Sequence, residues 1–218
     1  TGYPMSKSPG TTQLSSSQAL ALMKQGNARF ATGVSSFSQE QMQNRRAQLQ
    51  LGQAPFAIVL GCSDSRVPAE FVFDVGLGDL FVIRIAGNIV APSQIGSVEL
   101  AVERFGTPLI VVLGHTQCGA ISAAVESLLE PFQASECIHM GSIVKRIQPS
   151  VKAVLEANPN IDSAQLEHKA GRANIHASVA HLRHSSEFIE NAILSNKLAI
   201  IGAEYAVETG TVTFFDES

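Results

Sequence analysis

Four stretches of the chain are apolar almost throughout: residues 56–61 (FAIVLG), 80–87 (LFVIRIAG), 109–114 (LIVVLG) and 198–205 (LAIIGAEY). They are short and rich in β-branched residues, and they do not alternate with polar positions. That pattern predicts strands buried on both faces, as in a parallel sheet. Between them the period changes. Residues 93–105 place Ile95, Val98, Ala101, Val102 and Phe105 on one helical face, and further helices are predicted over about 142–157 and 173–195. The closing TGTVTFFD at 209–216 reads as an edge strand reached by a short connection.

The N-terminal quarter is different. Gly2, Pro4, Pro9 and Gly10 mark residues 1–14 as a flexible leader, and the serines at 15–17 are placed to cap a helix carrying Leu20, Leu22 and Met23. A second helix over about 38–51 is polar on almost all of one side, as expected of an element that packs against a body or another subunit. Residues 15–52 are therefore read as a helical arm and 53–218 as the core. The intervals between strands leave room for right-handed crossovers. The expected fold is α/β, a single domain with a mainly parallel central sheet flanked by helices and an antiparallel edge strand.

Length and composition narrow the classes. A chain of 218 residues can bury a core without disulfide or metal staples. Its 45% hydrophobic content against 16% charged suggests a well-buried sheet or a large subunit interface. A formal charge of -4 with scattered Lys and Arg gives no footprint for nucleic acid. No apolar run approaches a membrane span, and the polar opening lacks the apolar middle of a signal peptide. The expectation is a soluble, cytoplasmic protein, with an exported mature form left open by a chain that starts at Thr1.

In open parallel sheets, ligands gather beyond the carboxyl ends of the strands. Two predicted strands end alike: FAIVLG runs into Cys62, and LIVVLG into His115, with Cys118 three positions on. Parallel, neighbouring strands would bring two thiols and an imidazole to one sheet edge. Cys2His suits zinc and leaves a fourth tetrahedral position open. Buried structural thiols, or a disulfide between Cys62 and Cys118, are the other readings of the same spacing. Asp64 and Arg66 lie two residues apart and can pair, either as a loop salt bridge or as a carboxylate held beside a metal. The motif GLGD at 76–79 lacks the third glycine of a dinucleotide fingerprint and precedes a strand rather than following one.

CSDSRVP at 62–68 and GHTQCGA at 114–120 together resemble the two zinc motifs of the β-class carbonic anhydrases, C-x-D-x-R and H-x-x-C. The similarity extends to GNARF at 26–30, GDLFVIRIAGN at 78–88 and VELAVERFG at 98–106. The resemblance implies one zinc per subunit on Cys62, His115 and Cys118. Asp64 would accept a hydrogen bond from the zinc-bound water or hydroxide that attacks CO2, with Arg66 holding it off the metal. In some members of that family the aspartate ligates zinc and closes the site at lower pH. The resemblance further implies Gln53 as a hydrogen-bond donor to substrate or bicarbonate, Phe81 as an apolar wall of the CO2 pocket, and Gly119 as a lining residue. It also implies dimers built through the N-terminal helices, often paired into tetramers, with sites at subunit interfaces.

Two departures stand out. Leu100 occupies the place of the plant-type tyrosine, and the chain has no tryptophan with which to build an inhibitory bicarbonate pocket. An open site near neutral pH is the expectation. The same chemistry on COS or CS2, and a non-catalytic protein with structural zinc, are the alternatives. His139, His168, His176, His181, His184 and Cys137 receive no role.

Overall fold

Each apolar run becomes a strand. The computed structural model describes residues 14–34, 36, 39–129 and 137–215, so the expected leader lies outside them except for Leu14. Strands β1 (Ala57–Gly61), β2 (Leu80–Arg84), β3 (Leu109–His115) and β4 (Ala199–Tyr205) are parallel, and β5 (Val212–Phe214) pairs antiparallel with β4, in the order β2-β1-β3-β4-β5. The absence of alternation in β1 and β3 has its cause in burial, since every residue of both strands is buried.

Successive side chains of these central strands enter opposite cores. Val59, Leu109, Val111 and Leu113 join Ala19, Met23, Val72 and Phe73 on one face; Ile58, Leu60, Ile110 and Val112 meet Val98, Ala101, Phe105, Ile175 and Leu182 on the other. The helices that supply these contacts are α1 (Ser16–Ala31), α2 (Gln39–Gln48), α3 (Ala69–Val72), α4 (Pro92–Phe105), α5 (Gly119–Leu129), α6 (Met140–Ala157), α7 (Ser163–Arg183) and α8 (Glu187–Leu194). Among the described residues no helix is long and apolar enough to cross a membrane.

Helix α1 starts where the serines indicated, with a reciprocal capping box between Ser15 and Gln18. It packs on its own chain. A Cβ on Gly26 would stand 1.8 Å from the carbonyl oxygen of Phe73, so only glycine admits this approach. Buried Asn27 donates to the carbonyls of Val72 and Gly210 and accepts from the Val212 amide, and Arg29 pairs with Asp74 at 2.5 Å. These contacts are what the GNARF segment does in the fold. The polar second helix is shorter than 38–51, ending at Gln48 before a single 3-10 turn over Leu49–Leu51.

The helix expected over 173–195 is two helices. α7 begins ten residues earlier behind the Asp162 cap, and α8 begins behind Ser186, whose extended backbone lets its hydroxyl accept from the Ile189 amide. α7 buries Leu166, Ala170, Asn174, Ile175, Ser178 and Leu182. Two of these six are polar, which breaks the apolar period a sequence reading follows. Asn174 donates to the Gly87 carbonyl and Ser178 to that of Asn88, so α7 grips the connection that follows β2.

Candidate metal centre

β1 and β3 are adjacent and parallel, with Gly61 level with Leu113. Cys62, leaving β1, and His115, ending β3, thus emerge at one edge, and Cys118 follows the turn that leads into α5. The ligand atoms of these three residues lie within 4.8 Å of one another, and all three residues are buried. The two sulfurs are 4.0 Å apart and the cysteines are not bonded to each other. Two sulfurs bound at zinc's usual distance in a tetrahedron are about 3.8 Å apart. The spacing therefore fits a shared metal.

The imidazole is turned for the same task. Its Nδ1–H donates to the Thr116 carbonyl at 2.8 Å, which leaves the Nε2 lone pair free. Nε2 is buried and finds no hydrogen-bond partner among the described residues, an arrangement that costs free energy unless an ion or water meets it. Cys62 is readied as a thiolate. The Cys118 thiol beside it is the main influence drawing its pKa down, opposed by burial and helped by His115 and the amides of Gly87 and Asp64. Cys118 is pushed up in turn by Cys62 and by burial. Burial pulls His115 down, but the Cys62 contact, the Thr116 carbonyl and the nearby negative charges together raise it.

The Gly87 amide reaches the Cys62 sulfur at 3.3 Å. Gly87 has φ 68°, and a Cβ there would stand 2.7 Å from Ile147 Cδ1 and 3.1 Å from Ala120 Cβ. Glycine is needed for both the turn and the packing. Two cysteine sulfurs and an imidazole nitrogen facing a shared space, with three donors among the described residues, make a set that zinc fits with a position left open.

Asp64 and Arg66 form a two-pronged ion pair. Arg66 Nη2 donates to Asp64 Oδ2 at 2.8 Å, and Nε to Oδ1 at 2.9 Å, while the Arg66 amide also donates to Oδ1 at 2.9 Å. These hydrogen bonds hold the Asp64 carboxyl well below the usual carboxylate range. Oδ2 lies 3.9 Å from His115 Nε2, at the rim of the cysteine–histidine group. Arg84, from the end of β2, fixes the loop backbone by donating to the carbonyls of Cys62 and Asp64.

The residues expected on the substrate side divide. Gly119 sits beside Cys118, and a Cβ built on it would meet nothing within 4 Å. Gln53 is exposed and precedes β1, so it stands at the opposite edge of the sheet from Cys62, with the strand's length of about 17 Å between them. Phe81 pairs with Ile58 near the start of β2 and packs on Phe105, with ring centroids 6.1 Å apart. Leu100 is exposed on α4. None of these three neighbours the metal group of its own chain.

Two residues beside the centre were not singled out from sequence. Gln117, at φ 56°, accepts from Arg66 through both its side-chain and backbone oxygens, and Glu208 accepts from Gln117 and Thr116. Glu208 lies 91 residues further along the chain from Gln117 and belongs to no motif. The pairing of His115 with Tyr205, extended by the Thr116 amide donating to the Tyr205 carbonyl, brings them together.

Residues 57–212 match the family model described as carbonic anhydrase. The chain is 36% identical over 209 residues to carbonic anhydrase 2 of Mycobacterium tuberculosis, covering 95% of each. The solved structure of the β-carbonic anhydrase CcaA superposes with a TM-score of 0.73 at 26% identity, covering 90% of this chain and 87% of that one. A tetrameric β-carbonic anhydrase from Sordaria macrospora shares the fold at TM-score 0.72 and 24% identity, covering 82% of this chain and 89% of the other.

Proposed function

The chain belongs to the β-class carbonic anhydrase family, and from that premise we propose that it catalyses reversible hydration of carbon dioxide, CO2 + H2O to HCO3− + H+, at the edge formed by β1 and β3. The observation that carries the reading is the convergence of Cys62, His115 and Cys118 beside an Asp64 carboxylate that Arg66 engages on both oxygens. Those three residues would hold zinc, which when bound would supply Lewis acidity that lowers the pKa of water to about 7.

The chain's own groups do the rest. Asp64 Oδ2 accepts a hydrogen bond from the reacting water and so aims an oxygen lone pair at the carbon. Arg66 fills the other lone pairs and keeps the carboxylate from becoming a further metal ligand. A purely structural site would need no such pair, because its fourth donor would come from the protein. Gly119 leaves room for the substrate. Gln53 and Phe81, at the far edge, serve the site of a second copy: Gln53 donates to bound substrate or bicarbonate, and Phe81 forms an apolar wall. Self-association into dimers or tetramers follows from that division, with residues 15–52 as the arm that joins the copies.

Stopped-flow hydration of CO2, run beside hydrolysis of COS and CS2 on protein of measured zinc content, tests the reading. Turnover of CO2 far above the other two is expected. Full zinc with no CO2 hydration would overturn it.

A further inference from the structure

Arg66 lies between two carboxylates. One is Asp64; the other is Glu208, in the turn after β4, which its own backbone amide, then Thr116 and Gln117, and least of all the Arg66 charge hold below the usual carboxylate range. Between Arg66 and Glu208 stands one neutral side chain, Gln117. A guanidinium can only donate and a carboxylate can only accept, so a residue bridging the two must accept on one side and donate on the other. The Gln117 amide does this. Oε1 accepts from Arg66 Nη1 at 3.3 Å, and Nε2 donates to Glu208 Oε1 at 2.7 Å. Glu208 thereby fixes which way the amide faces.

The Gln117 backbone carbonyl takes a second bond from Arg66, Nη2 at 3.0 Å. Glu208 is itself anchored: Thr116 Oγ1 donates to Oε2 at 3.0 Å, and that hydroxyl accepts from the Val207 amide at 3.0 Å. The chain of contacts runs from the turn after β4, through Gln117, to Arg66 and Asp64. Gln117 carries positive φ without being glycine, a strained conformation that persists where surrounding contacts hold it.

We infer that Gln117 and Glu208 are positioning residues, a brace that commits Arg66 to Asp64 and so keeps the Asp64 carboxylate off the metal. The inference rests on the reading of Asp64 given above. Without Gln117, Arg66 is free to turn to Glu208, and Asp64 is released toward the metal ligands. Anions that bind the open metal position would then compete with Asp64.

The test uses the wild type and the Gln117→Leu, Glu208→Ala, Glu208→Gln and Gln117→Leu/Glu208→Ala variants. All five are loaded with cobalt, and azide affinity is read from the visible spectrum alongside thermal stability and zinc-form kcat/KM. Gln117→Leu and Glu208→Ala should weaken azide binding by about tenfold, the scale seen when outer partners of a metal site are removed. Glu208→Gln, which keeps an acceptor for Gln117, should retain most of the affinity. The double variant should be no weaker than Gln117→Leu alone, because both act through one chain of contacts. Azide affinities all within twofold of wild type would overturn the brace, as would losses confined to thermal stability. A wild type that binds cobalt yet fails to hydrate CO2 in its zinc form would overturn the functional reading, and the azide comparison would still decide the brace.

Discussion

The two ends of the parallel sheet are built for different purposes. Where β1 and β3 finish, Cys62, His115 and Cys118 converge, and Asp64, Arg66, Arg84, Gln117 and Glu208 fill the surrounding space with hydrogen bonds. Where the same strands begin, Gln53 is exposed, Phe81 is half-buried against Phe105, and Leu100 projects from α4. One end is complete in itself as a metal site. The other carries Gln53 and Phe81 away from the metal group of their own chain. On the function proposed above, one copy holds the reaction chemistry and a second copy completes the pocket.

The largest effect should come from the finished end. Cys118→Ser or Cys62→Ser removes a thiolate from a three-residue set, and metal analysis should find zinc nearly absent, with hydration down by about a thousandfold or more. Zinc retained at one per subunit would break the contrast at its root. At the other end, Gln53→Ala should keep its zinc and lose about ten- to a hundredfold in kcat/KM, as expected for one donor to a developing charge. Mixing Gln53→Ala with Cys62→Ser chains during refolding should restore activity. Each hybrid pair then has one site with all its zinc ligands and a wild-type Gln53 facing it. No recovery on mixing would mean that Gln53 serves its own chain or no site at all.

Smaller changes sharpen the account of the metal end. Gly87→Ala should lower stability by about 1–3 kcal/mol in denaturant unfolding, through positive φ and the crowding by Ile147 and Ala120. Metal affinity should fall as pH falls. Zinc needs thiolates and a neutral imidazole, and both Cys118 and His115 are shifted upward in the metal-free protein, so protons compete with the ion for them as pH falls. Competition against a chelator at about pH 8 and about pH 6 checks the sign. Equal affinity at both would contradict it.

Much of the finished end was legible in the chain. Two apolar runs ending in Cys62 and His115 were enough to place both at one edge, because strands buried on both faces lose their alternation and stand out. The helices were harder. α5 was missed although Ile121, Ala124 and Val125 keep a helical spacing and are buried. The first half of α7 was missed because its buried stripe includes Asn174 and Ser178, which face backbone carbonyls rather than apolar side chains. Gln117 lay inside a motif, but its role depends on Glu208, which sheet pairing brings across the molecule and no local pattern announces. Gln53 and Phe81 were named through resemblance alone. Their distance from Cys62 is a property of strand direction, visible only once the sheet is assembled.

The most direct test of the account is a joint measurement of zinc content and stopped-flow CO2 hydration for Asp64→Ala beside the wild type. The account predicts one zinc per subunit in both proteins, and a rate at least about a hundredfold lower in the variant, because Asp64 aims the reacting water without holding the metal. An Asp64→Ala protein that keeps its zinc and hydrates CO2 at the wild-type rate would contradict it.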